Sequence, residues 1–223
     1  MTPPPPDRDT WRRLIGPALA VIDSLIPAGY GPLDFRLGGG TVLMLRFDHR
    51  ISKDIDIFTH DAEALSFITP RLNDVANSIA DSYEEHANVL KLLLPEGDID
   101  FIVAAPVIPH ARPRTMDLDG RTLALDATAE ILAKKLLYRA DSFKARDVFD
   151  MAVTFALDRP SALEALRATA PPRPALLARL AQMAKAAPND LMAGIVPTET
   201  GLPHVQSMVP YLVEAITKLD GGT

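Results

Sequence analysis

Two aspartates separated by one residue, Asp54 and Asp56, alternate with Ile55 and Ile57 in the stretch Lys53–Phe58. Side chains of an extended strand switch faces at every residue, so the two acids project to one side and the isoleucines to the other, toward a core. Like charges held that close repel, and a divalent cation is the usual remedy. Upstream lie Gly38, Gly39, Gly40 and Thr41. Consecutive glycines let a backbone approach a phosphate, and a helix that follows can aim its unbonded amides at the anion. Either feature alone has a plainer reading, a tight turn or a solvated sheet edge. The two together, joined by an apolar helical segment, are far more specific.

These residues need a strand over Asp34–Leu37, a helix over Thr41–Phe47 and a carboxylate strand over Lys53–Thr59 to present them. Ahead of them, Trp11, Leu14, Ile15, Ala18, Ile22, Leu25 and Ile26 recur at helical spacing, which predicts an amphipathic helix packed on the sheet and ending before Pro27. The proline-rich start, residues 1–9, is expected to be a disordered tail. From Asp61 to about Ser82 the apolar positions Leu65, Ile68, Leu72, Val75 and Ile79 predict one long helix. Asn88–Leu94 and Asp98–Ala105 read as antiparallel strands joined at Pro95-Glu96-Gly97. Within the second, Asp100 stands between Ile99 and Phe101; an acid so placed is costly to bury unpaired, which implies a metal, a cation or a surface beside it. Asp98, the alternative, sits against the turn, where aspartate commonly makes local hydrogen bonds.

A hairpin over Arg112–Leu125 turns at Asp119-Gly120. Helices then dominate: Glu130–Arg139 with Thr128 as N-cap, Ala145–Leu157, Ser161–Thr169, Pro174–Ala186 and His204–Leu219, punctuated by prolines. The fold class expected is α/β (α+β), a mixed sheet flanked by helices over residues 10–127, followed by a helical C-terminal domain over residues 128–223.

With 223 residues, 48% of them hydrophobic, the chain can bury one good core or divide into a core and a helical appendage. It has no cysteine, so thiolate chemistry is excluded and oxygen and nitrogen must do the work. No apolar run approaches the roughly 18 residues that span a bilayer, and the start has no apolar leader, which points to a cytoplasmic protein with no membrane partner. The net charge of −6 is unevenly spread: Asp54 to Asp100 holds eleven acids and two bases, whereas Lys134 to Lys185 holds ten bases and five acids. An acidic stretch suits metal ions and a basic one suits phosphates, although solvated helix faces have the same composition. His60, His86, His110 and His204 have no metal-ligand spacing.

The turn-to-carboxylate stretch, a glycine turn followed by Asp54-x-Asp56, resembles the first motif of the nucleotidyltransferase superfamily. Its wording, from Gly39-Gly40-Thr41 through His49-Arg50-x-Ser52 to Asp54-Ile55-Asp56, more narrowly resembles the AbiEii/AbiGii toxin branch. Glu130 with Lys135, then Arg146-Asp147 with Asp150, match that family's E-x-x-x-x-K and R-D-x-x-D helix motifs, so the resemblance covers roughly Phe35 to Asp150. The lysine register rests on its five-residue spacing from Glu130, since Lys134 is adjacent.

The resemblance implies a nucleotidyltransferase fold and transfer of a nucleoside monophosphate from an NTP with release of pyrophosphate. Two Mg²⁺ ions would be held by Asp54, Asp56 and Asp100. Lys135 would neutralise triphosphate charge, and Gly39, Gly40 and Thr41 would offer amides and a hydroxyl. Arg50 and Ser52, with Glu130, Arg146, Asp147 and Asp150, complete the implied nucleotide site. For Arg50 a structural tie is the alternative to phosphate contact; for Asp147 the choice lies between holding Lys135 and the nucleotide sugar; for Asp150 an ion pair with Arg146 or Lys134 is the alternative. The family further implies the toxin half of a bacterial toxin–antitoxin or abortive-infection pair, with a separate antitoxin and an RNA acceptor such as tRNA. Basic residues 139, 144, 146, 167, 173 and 179 are candidates to track such an acceptor's phosphates. The alternatives are transfer to a small molecule or a protein hydroxyl, and a nucleotide-binding module without turnover.

Overall fold

The computed structural model describes residues 7–169, 173–186 and 188–220. The chain divides into two compact units. One comprises the chain up to Val42 with Ser52–Ala105 and Pro113–Asp126; the other comprises Leu43–Ile51, Pro106–Arg112 and the chain from Ala127 onward. Of the expected tail, residues 1–6 lie outside the described residues. Asp7–Asp9 make the turn into the first helix, with Thr10 N–H donating to the Asp7 carbonyl and Arg12 N–H to that of Asp9.

The first unit is built on a seven-stranded mixed sheet in the order β3-β4-β5-β2-β1-β7-β6. Its strands are β1 (Phe35–Gly38), β2 (Ile55–Thr59), β3 (Ser82–His86), β4 (Val89–Leu94), β5 (Gly97–Val103), β6 (Arg114–Leu118) and β7 (Arg121–Leu125). β2 lies antiparallel to β1 and parallel to β5. Strict alternation on β2, β4 and β5 buries Ile55, Ile57, Leu90, Leu92, Ile99 and Phe101, and α1 (Thr10–Asp23) packs against β2 and β5. The Gly97 α-carbon lies so close to the Lys53 carbonyl that a β-carbon there would stand 2.7 Å from the oxygen. The hairpin between β6 and β7 turns through Asp119 and Gly120 at φ of 52° and 80°, the paired left-handed conformations of a tight β-turn.

Three expectations of this unit are corrected. The long helix after Asp61 is two short ones, α3 (Ala62–Ile68) and α4 (Asp74–Ile79). Pro70 forces Thr69 into extended backbone (φ −63°, ψ 137°), and the Asn73 side chain caps α4 by accepting from the Ala76 N–H. Strand β3 was not foreseen, because Ser-Tyr-Glu-Glu-His is exposed throughout, as suits a charged edge strand, and carries no apolar alternation. The carboxylate strand begins at Ile55, one residue after Asp54. Asp54 is held from two elements, its carbonyl accepting from the Thr41 hydroxyl near the start of the helix after β1 and its Oδ1 from the Asp98 N–H of β5 at 3.1 Å.

α2 (Gly39–Phe47) starts at the second glycine of the triplet. The second unit is helical: α5 (Thr128–Arg139), α6 (Ala145–Leu157), α7 (Arg159–Ala168), α8 (Arg173–Met183), α9 (Pro188–Met192) and α10 (Met208–Asp220). α6 packs against α7 and α10, and α5 against α7. Thr128 is the first residue of α5, not its cap; Ala127 holds the cap position, and the Thr128 hydroxyl accepts from Arg46 Nη1 at 2.7 Å. Arg46 Nη2 also pairs with Asp158 at 2.6 Å, and Asp158 caps α7 through the Ser161 N–H.

The segment after α2 is tied to the chain near residue 197. Arg50 bridges Pro197, Ile51 N–H donates to the Val196 carbonyl, and Thr198 N–H donates to the His49 carbonyl. Gly201 lies against that same carbonyl, and a β-carbon there would come within 1.9 Å of its oxygen. Gly201→Ala therefore has to displace backbone and should cost about 1–3 kcal/mol, the range for overpacking a filled site. The readout is the urea unfolding midpoint, and an unchanged midpoint would mean that the His49 loop yields freely.

Candidate active site

Three neighbouring strands place one row of polar side chains on the same face of the sheet. Gly38 of β1 is the register partner of Asp56 on β2, Asp56 of Asp100 on β5, and Asp100 of Lys91 on β4. Direct partners on adjacent strands have β-carbons only about 4.5–5.5 Å apart. The pleat that sends Ile55, Ile57, Ile99 and Phe101 into the core thus sets two carboxylates side by side.

The row is shaped by what glycine lacks. Gly39 has φ of +65°, and a β-carbon there would stand 1.7 Å from Asp56 Oδ2. At Gly38 an added β-carbon would meet the Phe58 ring at 2.6 Å and Asp126 Oδ2 at 3.0 Å. Asp126, which follows β7 and is buried, is an acid that sequence reasoning missed; its N–H donates to the Leu37 carbonyl at 2.8 Å. Gly40 is buried in the first turn of α2 beside Thr41.

Electrostatics bears the mark of this crowding. Asp100 is pushed up to about 6, chiefly by burial and further by the charges of Asp56 and Asp98, against the opposing pull of Lys91. The Lys91 ammonium stands 2.6 Å from Asp100 Oδ1 and 3.2 Å from Asp98 Oδ2. Burial lowers the Lys91 pKa, but its bonds and charge contacts with the two aspartates outweigh this and raise it overall. Sequence reasoning did not single out Lys91; the available signal was one lysine interrupting the apolar run of Val89–Leu94. Among the described residues no three His, Asp or Glu side chains converge closely enough to hold a metal as placed.

The helix-motif residues gather in the second unit. Asp150 is fully buried and receives Arg50 Nε at 2.6 Å, Arg50 Nη2 at 3.0 Å and His49 Nε2 at 2.7 Å. Lys135 Nζ stands 2.6 Å from Asp147 Oδ1 and 3.0 Å from Asp150 Oδ2. Burial raises the Asp150 pKa, yet Arg50 and Lys135 overcome it and hold the carboxyl well below its usual range; burial likewise opposes Asp147, which Lys135 pulls down. Asp147 Oδ2 also accepts from the Lys144 N–H at 3.1 Å at the start of α6.

Asp150 thus takes Arg50 and Lys135 as charge partners and a hydrogen bond from His49, where sequence reasoning had named Arg146 and Lys134. Arg50 pairs with Asp150 within the unit, and Asp147 lies in contact with Lys135. Glu130, also buried, accepts from the N–H groups of Val107 and Ile108 at 3.0 and 2.8 Å, and Lys134 stands 3.5 Å from it. Ser52 is buried and Arg146 half-buried. Of the proposed phosphate-tracking bases, Arg173 and Arg179 donate to the carbonyls of Leu166 and Phe143.

The family model described as nucleotidyl transferase AbiEii toxin, type IV TA system, matches residues 26–195. Among solved structures, the chain is similar to JHP933 from Helicobacter pylori, at 15% identity and a TM-score of 0.47 over 97% of each chain. It is also similar to MenT4, a nucleotidyltransferase toxin from Mycobacterium tuberculosis, at 19% identity and a TM-score of 0.40, over 75% of this chain and 64% of that one. No curated protein matches it. No helix among the described residues is long and apolar enough to cross a membrane.

Two outcomes test these clusters. The Asp100 carboxyl titrates near 6 when folded, against an ordinary 3.8, so the native state holds its proton more tightly than the unfolded chain does. The group's contribution is complete below about pH 4 and is lost as pH rises through about 6. In metal-free buffer Asp100→Asn should flatten that fall in the urea midpoint; parallel curves for the two proteins would contradict it. Asp150→Ala leaves Arg50 buried without its carboxylate and Lys135 with Asp147 as its remaining one, and should cost about 3–5 kcal/mol. A loss below about 1 kcal/mol, the level of an exposed pair, would show that the cluster is open to water.

Proposed function

Because the chain belongs to the AbiEii nucleotidyltransferase toxin family and is a nucleotidyltransferase, we propose that it moves a nucleoside monophosphate from an NTP to an RNA acceptor such as tRNA, with Mg²⁺ bound by Asp54, Asp56 and Asp100. The observation that carries this reading is the alignment of Asp56 with Asp100 across β2 and β5, against a glycine with no room for a side chain.

The donor chemistry of the row suits such an ion. The donors are carboxylate oxygens, the ligands that Mg²⁺ prefers. Asp56 and Asp100 repel, and a positive charge, the Lys91 ammonium, already lies against Asp100. When bound, the ion would supply charge neutralisation at the α-phosphate and activation of the acceptor hydroxyl. In the reaction, the acceptor oxygen forms a bond to the α-phosphorus while the bond to the bridging oxygen breaks and pyrophosphate leaves.

The chain's own contribution is positioning. Asp54 is braced by the Asp98 N–H and by the hydroxyl of Thr41 on its carbonyl. Gly39 and Gly40, opening α2, offer main-chain amides to phosphate. In the helical unit the Lys135 ammonium is held by Asp147 and Asp150, and Arg50 balances their charge. Glu130 secures the Val107–Ile108 segment, and Ser52 and Arg146 complete the assignment. The same family reading supplies a separate antitoxin as partner and the cytoplasm as the place of action.

Incubation with each α-labelled NTP, Mg²⁺ and purified tRNA or total RNA should label RNA and release pyrophosphate, and Asp56→Asn should reduce both to background while leaving the thermal midpoint nearly unchanged. Full activity in that variant would sink the assignment. NTP binding without pyrophosphate release under any acceptor would identify a module without turnover.

A further inference from the structure

Lys91 is the one member of the carboxylate row that neither the family motifs nor the reaction accounts for. It lies on β4 between Leu90 and Leu92, whose side chains fill the core on the opposite face. Its register partner on one side is Asp100 and on the other Glu84 of β3. The Lys91 side chain is only a quarter exposed, at 24%, and its ammonium touches Asp100 Oδ1 at 2.6 Å and Asp98 Oδ2 at 3.2 Å. An exposed lysine pair contributes little, but one drawn this far out of water interacts several times more strongly.

We propose that Lys91 is a built-in counter-cation: it neutralises Asp100 while the site is empty, competes with the divalent ion for that carboxylate, and so sets the ion concentration at which the site loads. The inference rests on the reading of Asp56 and Asp100 as cation ligands. Its physical basis is exclusion. A hard divalent ion must approach a carboxylate oxygen to about 2.0–2.1 Å, and an ammonium in contact with the same oxygen would then face it at close range with like charge. The two therefore exchange.

Lysine suits this role because its charge sits on a flexible four-carbon stem and binds as a point, with no bidentate geometry to break. Two acids are placed to receive it on leaving Asp100: Asp98, which it already touches, and Glu84, its cross-strand neighbour. The ammonium stays at the β4 end of the row, where it also adds positive charge beside any phosphate the site admits. Lys91 is accordingly a positioning residue, acting on the reaction through the occupancy of Asp100.

The test is calorimetric titration of Mn²⁺ into the full-length protein, with wild type, Lys91→Met, Lys91→Arg and, as a control for net charge, Arg71→Met, which breaks an exposed pair with Glu85 on β3. Lys91→Met should bind Mn²⁺ at least about tenfold more tightly than wild type, as expected for removal of a contact charge in a partly desolvated site. Without metal its thermal midpoint should fall, and added Mn²⁺ should raise that midpoint more than it does for wild type. Lys91→Arg, which keeps the charge, and Arg71→Met should bind as wild type does. If methionine prevents folding, Lys91→Gln, which retains a donor for Asp100, is read in the same way. Equal or weaker Mn²⁺ binding in the neutral variants would overturn the counter-cation while leaving the metal reading intact. Absence of Mn²⁺ binding by wild type and neutral variants alike would remove the metal reading, and Lys91's role with it.

Discussion

Two carboxylates held side by side by strand register are the constraint on which the sheet unit depends. Asp56 and Asp100 cannot separate without breaking the β2–β5 ladder, and the ladder cannot slip by one residue without turning Ile55, Ile57, Ile99 and Phe101 out of the core. The hydrophobic core therefore enforces an electrostatic conflict. Its consequences are visible all around it: a carboxyl displaced toward neutrality, an ammonium drawn in from β4, and a glycine where no side chain fits. Each feature looks unfavourable in isolation, and together they describe a site prepared for positive charge.

The helical unit settles a comparable problem in the opposite way. Asp150 and Asp147 are buried, but Arg50 and Lys135 pair with them, so charge is balanced within the unit. Such clusters are seldom a net gain over apolar packing, yet breaking one partner is expensive. Their effect here is to join the segment after α2 to α5 and α6 through one carboxylate. The first cluster is left short of positive charge and the second is complete, a difference that suits one to ligand chemistry and the other to holding side chains in place.

What the sequence made legible follows the range of the interactions involved. The alternation of Asp54-Ile55-Asp56-Ile57 and the turn dipeptides at Gly97 and Gly120 are local, and the strands they predict are present, with Asp54 itself just outside β2. The helical second half was likewise readable from hydrophobic period, whereas the mixed sheet was expected from the family resemblance. The break at Pro70 was in plain view, but the apolar spacing across it is helical on both sides and masked the interruption. The alignment of Asp56 with Asp100 was beyond reach, because a parallel register is fixed by the crossover and leaves no mark on either strand. Lys91 was missed for the same reason. The partner of Asp150 lies a hundred residues away, and charged residues are too common for such a pairing to be guessed from type alone.

Gly39 separates two properties that aspartate substitutions always change together. Replacing an acid alters both the charge of the row and its shape. A side chain introduced at Gly39 would leave every ligand oxygen in the protein and its net charge untouched, while the space taken by the Asp56 carboxylate, 1.7 Å from the new atom, would no longer exist. The fold thus contains a position at which attraction for cations and the geometry of their coordination can be uncoupled, and it lies in the main chain, where no acid is altered.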